Sequence, residues 1–136
     1  MRLTRWAAAA GLALALGGCR QITNPDELLD GPWRLTVLKR SAGTTATTRG
    51  DEFTIEFLSD GRVNVHADCN GCGGTYEVRT GRLHLNPLAC TRAYCVTTAP
   101  VDSEYVMFLQ AAQTFSVQRN TLTIRTDHGS LEFERR

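Results

Sequence analysis

The chain has 136 residues, with 15 basic and 14 acidic side chains, a formal net charge of +1 and 42% hydrophobic residues. So even a balance argues against an electrostatic nucleic-acid binder, which needs a basic stripe or patch. The length suits one domain with one core, and no apolar stretch after the N-terminal one is long enough to cross a membrane.

The N-terminus has the order of a secretory signal. Arg2 and Arg5 supply positive charge, an almost unbroken Ala/Leu run extends from Trp6 to Leu16, and Leu16-Gly17-Gly18-Cys19 follows. The run is too short to span a bilayer as a helix. The final four residues resemble the lipobox of bacterial lipoproteins, in which small residues lie in the signal-peptidase cleft and the Cys thiol carries the lipid. The resemblance implies cleavage after residue 18, lipid on Cys19 and a membrane as partner through that anchor, since each buried methylene contributes about 0.8 kcal/mol. Arg20, rather than Asp, follows the Cys. In lipoproteins of two-membrane bacteria this favours the outer membrane, facing the periplasm. Removing Arg2 and Arg5 with the signal takes the basic count below the acidic one.

Residues 19–30, with Asn24-Pro25 and several acids, read as a flexible tether, and residues 31–136 as the folded domain. Strand patterns then follow in order. Trp33, Leu35 and Val37 alternate with polar or outward positions, and 41–50 is a polar Thr/Gly loop. Phe53, Ile55 and Phe57 alternate, Ser59-Asp60-Gly61 turns the chain, and Val63, Val65 and Ala67 return. Tyr76 with Val78 and Leu83 with Leu85 flank a Thr80-Gly81 turn. Val101, Tyr105, Phe108, Leu109 and Ala112 recur at helical spacing, with Asp102 as an N-cap. Phe115/Val117, Leu122/Ile124 and Leu131/Phe133 complete the pattern. The expected fold is α+β: about eight short antiparallel strands in an open barrel-like sheet with one packed helix.

Four cysteines remain beside Cys19, and four allow three connectivities. Export favours disulfides over free thiols. In an antiparallel pair facing residues keep a constant index sum, which suits the nested pairs Cys69–Cys95 and Cys72–Cys90. Local pairing of Cys69 with Cys72 and Cys90 with Cys95 stays open, as does a ribbon-type zinc site from the C-x2-C and C-x4-C spacing. A redox C-x-x-C reading is weaker, because such sites sit at a strand-to-helix junction.

The stretch Asp68-Cys69-Asn70-Gly71-Cys72-Gly73-Gly74-Thr75-Tyr76 resembles the G-C-N-x-aromatic-x-G-x-Y signature of the META domain family. Leu88-Ala89-Cys90-Thr91-Arg92-Ala93-Tyr94-Cys95 is similar to that family's A-S-T-x-M-x-C segment. Glu104 with Phe108-Leu109, Trp33-Arg34-Leu35 and Leu131-Glu132-Phe133 match as well. The resemblance, which extends to HslJ-like lipoproteins, implies a small α+β domain with no cofactor and no established enzymatic activity, and export to an oxidising compartment adds the expectation of no metal. Cys69 and Cys95 stand at the family's own Cys positions. Cys72 replaces an aromatic and Cys90 a Ser, so the resemblance also favours the nested pairing. Asn70, Gly74 and Tyr76 are its motif residues, with Asn70 expected to fix a loop by side-chain hydrogen bonds.

No residue constellation predicts catalysis. His66 alternates outward with Asn64 and Asp68 as a solvated strand face, and His84 and His128 are surface positions. Ser59 and Ser103 lack an activating His nearby in sequence. Asp26-Glu27 and Asp51-Glu52 are loop charge pairs rather than opposed carboxylates. The expected role is non-enzymatic: an envelope stress or accessory module with a possible envelope-protein partner and no nucleic acid. The alternative is a pilotin-like carrier or chaperone of an apolar ligand or envelope protein, which needs an apolar groove beneath the helix. A hydrolase or redox enzyme would need a perturbed acid or base in a pocket, or an exposed Cys69–Cys72 bond.

Overall fold

The computed structural model describes residues 24–48, 50–95 and 101–136. The signal, the lipobox and Cys19 lie outside the described residues. No helix among the described residues is long and apolar enough to cross a membrane.

Ten strands and one α-helix follow a 3-10 turn of helix, Pro25–Asp30. They are β1 (Trp33–Arg40), β2 (Thr45–Thr47), β3 (Phe53–Phe57), β4 (Arg62–Ala67), β5 (Asn70–Arg79), β6 (Arg82–Leu85), β7 (Ala89–Cys90), α1 (Val101–Gln110), β8 (Ala112–Gln118), β9 (Thr121–Thr126) and β10 (Gly129–Arg135). Antiparallel pairing runs β10-β9-β8-β6-β5-β4-β3-β1, and β1 pairs back onto β10. The wall is therefore a closed eight-stranded barrel, which bears out the expected α+β barrel-like sheet with one helix and adds that the barrel closes. Closure comes from the chain's two ends: Trp33 faces Arg135, Leu35 faces Phe133 and Leu38 faces Leu131. Each of the expected strands lies in this wall. β2 and β7 are additions, β2 on β1 within the Thr-rich loop and β7 on β5.

Strict alternation directs one face of each strand inward. Phe53, Ile55, Phe57, Val63, Val65, Ala67, Leu83, Leu85, Leu122, Ile124, Leu131 and Phe133 are all buried. An eight-stranded barrel has room for little beyond such side chains. β1 departs from simple alternation. A bulge between Leu35 and Val37 places Leu38 in the core and leaves Val37 half-buried, so the expected inward Val37 is replaced by its neighbour. The extra residue bends the strand and increases its twist, which aids closure.

Both barrel ends are plugged. α1 crosses the end where β1 finishes and β10 begins: Arg40 reaches Glu104 through two hydrogen bonds of 2.5 and 2.6 Å, and the Phe108 ring lies 5.7 Å from that of His128. Asp102 lies inside the first turn of α1 rather than at its cap, because the helix already includes Val101. The Pro25–Asp30 helix closes the other end. Leu28 is fully buried there, its carbonyl accepts the Trp33 Nε1–H at 2.9 Å, and Asn24 caps the turn through Oδ1. The folded unit therefore starts by Asn24, and residues 25–30 are packed structure where the sequence composition predicts a tether.

Candidate functional site

β5 carries the CNGCGGTY stretch as one continuous ten-residue strand. Sequence composition hides this strand, since glycines 71 and 73 weaken any strand pattern. Alternation explains it: Asn70, Cys72, Gly74, Tyr76 and Val78 share the more buried face, and Gly71, Gly73, Thr75 and Glu77 the exposed one. β6 and β7 are successive antiparallel partners of β5, with Tyr76 opposite Leu85 and Cys72 opposite Cys90. The register slips by one residue across 86–88.

Cys72 and Cys90 thus face each other in the ladder and form a disulfide with Cα atoms 4.0 Å apart. Beyond β7 the chain continues over the start of β5, and Cys95 bonds Cys69 with Cα atoms 5.7 Å apart. Cys69 and Cys72 are not bonded to each other, so the local pairing and the C-x-x-C reading are set aside. The cysteines make two nested clamps on residues 90–95. Among the described residues no group of three or more His, Cys, Asp or Glu side chains forms a metal-ligand set.

Asn70 sits between the clamps and is 8% exposed, the one buried polar residue among those described. Its Oδ1 accepts from the Ala93 N–H at 2.8 Å and the Thr91 hydroxyl at 3.0 Å, while Nδ2 donates to the Ala93 carbonyl at 3.0 Å and to Cys95 Sγ at 3.3 Å. The side-chain amide acts as an added peptide group for a segment without regular pairing, and its oxygen and nitrogen are both satisfied. Thr91 extends the network by accepting the Gly71 N–H at 3.1 Å. Thr91 and Ala93 are partners that sequence pattern cannot single out, because one contributes mainly backbone and the other a common hydroxyl.

The other motif residues act on packing. A Cβ on Gly74 would lie 2.9 Å from Leu88 Cδ2, so the missing side chain is the space Leu88 fills. The Tyr76 hydroxyl donates to the Leu58 carbonyl at 3.0 Å, and its ring meets Phe57 edge-on at 4.9 Å. Burial pushes the Tyr76 hydroxyl pKa upward, with a smaller contribution from the negative charges of Asp60 and Asp26.

The clamped segment forms one wall of an open cleft of about 810 Å³, and α1 forms the other. Leu88, Thr91, Arg92 and Tyr94 face Asp102, Val106 and Gln110 across it. Gln110 ties the walls together, its Oε1 accepting the Leu88 N–H at 2.9 Å. Tyr94 is 85% exposed, an unusual position for an aromatic ring. The cleft is at the α1 end of the barrel, opposite the Pro25–Asp30 helix where the chain joins the domain.

The remaining residues weighed from sequence stay apart. His66, His84, His128, Ser59 and Ser103 are exposed. Asp51 pairs with Arg136 at 2.8 Å, and Asp26 donates its N–H to the Asn24 cap at 3.1 Å. The carboxyl of Glu104 is held below the usual range by its hydrogen bond to Arg40, with the guanidinium charge adding to the effect. Beneath α1, Tyr105, Phe108 and Leu109 are at most 1% exposed and Ala112 is 7% exposed. The apolar face of the helix is therefore packed against the barrel, and the apolar groove an apolar-ligand carrier would need there is absent among the described residues.

The family model of the META domain matches residues 26–136, starting within the packed 3-10 helix. Among curated proteins none matches the chain. Of solved structures, an NMR structure of a protein from Burkholderia xenovorans is similar at TM-score 0.69 and 23% identity, covering 98% of this chain and 99% of that one. A second NMR structure matches at TM-score 0.64 and 19% identity, covering 83% and 95%. A crystal structure of a DUF4847 family protein from Bacteroides vulgatus matches at TM-score 0.61 and 14% identity, covering 82% and 96%. At these identities the likeness concerns the fold.

Proposed function

The chain belongs to the META domain family, and we propose that it is a lipid-tethered, non-enzymatic module that holds an envelope partner in the cleft between the clamped segment and α1. The observation that carries this reading is the polarity of the barrel. The chain joins the domain at the 3-10 helix end, while the cleft with exposed Tyr94 opens at the α1 end. A lipid anchor on Cys19 fits this polarity, because only residues 20–23 separate it from the Asn24 cap, at most about 3.6 Å of extended reach per residue. The lipobox-like Leu16-Gly17-Gly18-Cys19 supports the anchor, and the Arg20 that follows supports the outer membrane facing the periplasm. Two disulfides fit an oxidising compartment.

Two measurements test it. Mass spectrometry of the N-terminal peptide should find lipid on Cys19, and a different cleavage site removes the anchor from the proposal. A photocrosslinking residue placed at Tyr94 in cells should capture one reproducible envelope protein that the same probe at Asp60, on the opposite end, does not. Equal capture from both positions, or none, counts against the cleft. An escort role resembling the pilotins is one outcome of that experiment, with the captured protein as cargo.

A further inference from the structure

We propose that the Cys69–Cys95 bridge is a thiol–disulfide exchange site at which Cys69 is attacked and Cys95 leaves. The inference is independent of the tether and of any partner in the cleft. It rests on an asymmetry between the two sulfurs. Cys69 is exposed, whereas Cys95 is 4% exposed. The buried sulfur is also the one best supplied with donors: the Cys69 backbone N–H and Asn70 Nδ2 each point at Cys95 Sγ from 3.3 Å. Asn70 Nδ2 is farther from Cys69 Sγ, at 3.8 Å. Hydrogen bonds to a sulfur strengthen as it gains negative charge, so these donors stabilise a Cys95 thiolate, and a stabilised thiolate leaves faster. Among the described residues the Cys72–Cys90 bridge has no comparable N–H donor on either sulfur.

The substrate class is a dithiol, small or carried by a protein. Its thiolate attacks Cys69 Sγ, the Cys69–Cys95 bond breaks, and the electron pair moves to Cys95 Sγ. The product is a mixed disulfide between Cys69 and the attacking sulfur. The second thiol of the dithiol loses its proton to solvent and attacks the dithiol sulfur of that bond. The dithiol leaves as a disulfide, and Cys69 is left as a thiolate. The bridge has then gained two electrons and the dithiol has lost two. The Cys72–Cys90 bridge keeps β7 on β5 throughout. Among the described residues, 91–95 are then held by the Asn70 and Thr91 hydrogen bonds, so the upper cleft wall loosens while the barrel stays closed.

The test uses the oxidised protein. Samples treated with limiting dithiothreitol are quenched in acid, alkylated and mapped by peptide mass spectrometry. Cys69 and Cys95 should become alkylated about tenfold faster than Cys72 and Cys90, and glutathione should form its adduct on Cys69. A reductase carrying a C-x-x-C pair, in a parallel arm, distinguishes a protein dithiol from a small one by its rate at equal thiol. Asn70→Asp keeps the acceptor and removes the Nδ2 donor, so opening of the outer bridge should slow by about tenfold. Mere loosening of the segment would speed it instead. Equal or reversed order of the bridges, an adduct on Cys95, or unchanged or faster opening in Asn70→Asp overturns the proposal. Should that variant not fold, the order and the adduct position in the unaltered protein decide.

Discussion

Asn70 and Ala93 exchange two hydrogen bonds, side-chain amide to backbone peptide, at 2.8 and 3.0 Å. This pairing holds residues 91–95 against β5 where the ladder has ended. Asn70→Ala removes both bonds along with the one accepted from Thr91 and the one donated to Cys95 Sγ. A net hydrogen bond contributes about 1 kcal/mol, and Ala93 is exposed enough for water to replace part of the loss. The expected cost is about 1–3 kcal/mol, read from urea denaturation of the oxidised protein. A midpoint unchanged from the parent would mean that the amide is dispensable.

The wall strands were legible in the sequence because each alternates apolar residues over at least two inward positions, as Phe53/Ile55/Phe57 and Leu122/Ile124 do. β5 was legible only from Tyr76 onward, since its first half places Gly71 and Gly73 on the exposed face and Asn70, Cys72 and Gly74 on the other. The bulge that brings Leu38 inward has no local sign, because Val37 and Leu38 are equally apolar and only the pairing with β10 chooses between them. Leu28 is hidden in a different way. Its surroundings are polar and acidic, and its burial depends on Trp33, which reaches back to the Leu28 carbonyl. The near-constant index sum favours the nested cysteine pairs without deciding them, while nothing in the sequence marks the cleft, because its walls come from segments whose facing depends on the closed barrel.

Two glycines should respond oppositely to alanine. A Cβ on Gly129 would lie 1.9 Å from the Lys39 carbonyl oxygen, and its φ of 141° is disfavoured for other residues. Gly129→Ala should cost about 3 kcal/mol through displaced backbone at the seam that closes the barrel. Gly73 has nothing within 4 Å of its built Cβ. Gly73→Ala should be neutral or stabilising by about 0.5 kcal/mol, because alanine loses less backbone entropy on folding. Thermal melts of both variants measure the contrast. A Gly129→Ala protein as stable as the parent would contradict the close approach of β10 to β1.

The pairing of Arg40 with Glu104 should give stability a defined acid limb. The hydrogen bond from Arg40, aided by its charge, lowers the folded-state pKa of Glu104 relative to the unfolded chain. A lowered carboxylate pKa adds stability that is fully present above the unfolded value, about 4.3 for Glu, and is lost as pH falls through the folded value. Glu104→Gln cannot titrate, so the stability gap between parent and variant should be constant near neutrality and shrink as pH falls below about 4. Asp60 also has a lowered pKa, from its hydrogen bonds to Arg62, but it is present in both proteins and cancels in the difference. A gap independent of pH down to the acid transition would show that the pair does not couple β1 to α1 through charge.

Tyr105 presents a fully buried hydroxyl with no hydrogen-bond partner among the described residues, while its ring packs edge-on against Phe53 at 5.4 Å and is tilted against Phe133 at 6.2 Å. Burial raises its pKa well above the ordinary tyrosine value, so the group stays neutral and its cost is that of a desolvated dipole rather than a charge. Leaving such a group unsatisfied costs about 1–3 kcal/mol, and removing it while keeping the ring releases that cost. Tyr105→Phe should therefore raise the unfolding free energy by about 1 kcal/mol, whereas Tyr105→Ala should lower it by about 3–5 kcal/mol through the cavity left beneath α1. The pair of variants separates the hydroxyl from the ring in one denaturation series. A destabilised Tyr105→Phe would mean that the hydroxyl has a partner, such as an internal water, and that a polar site exists inside the barrel.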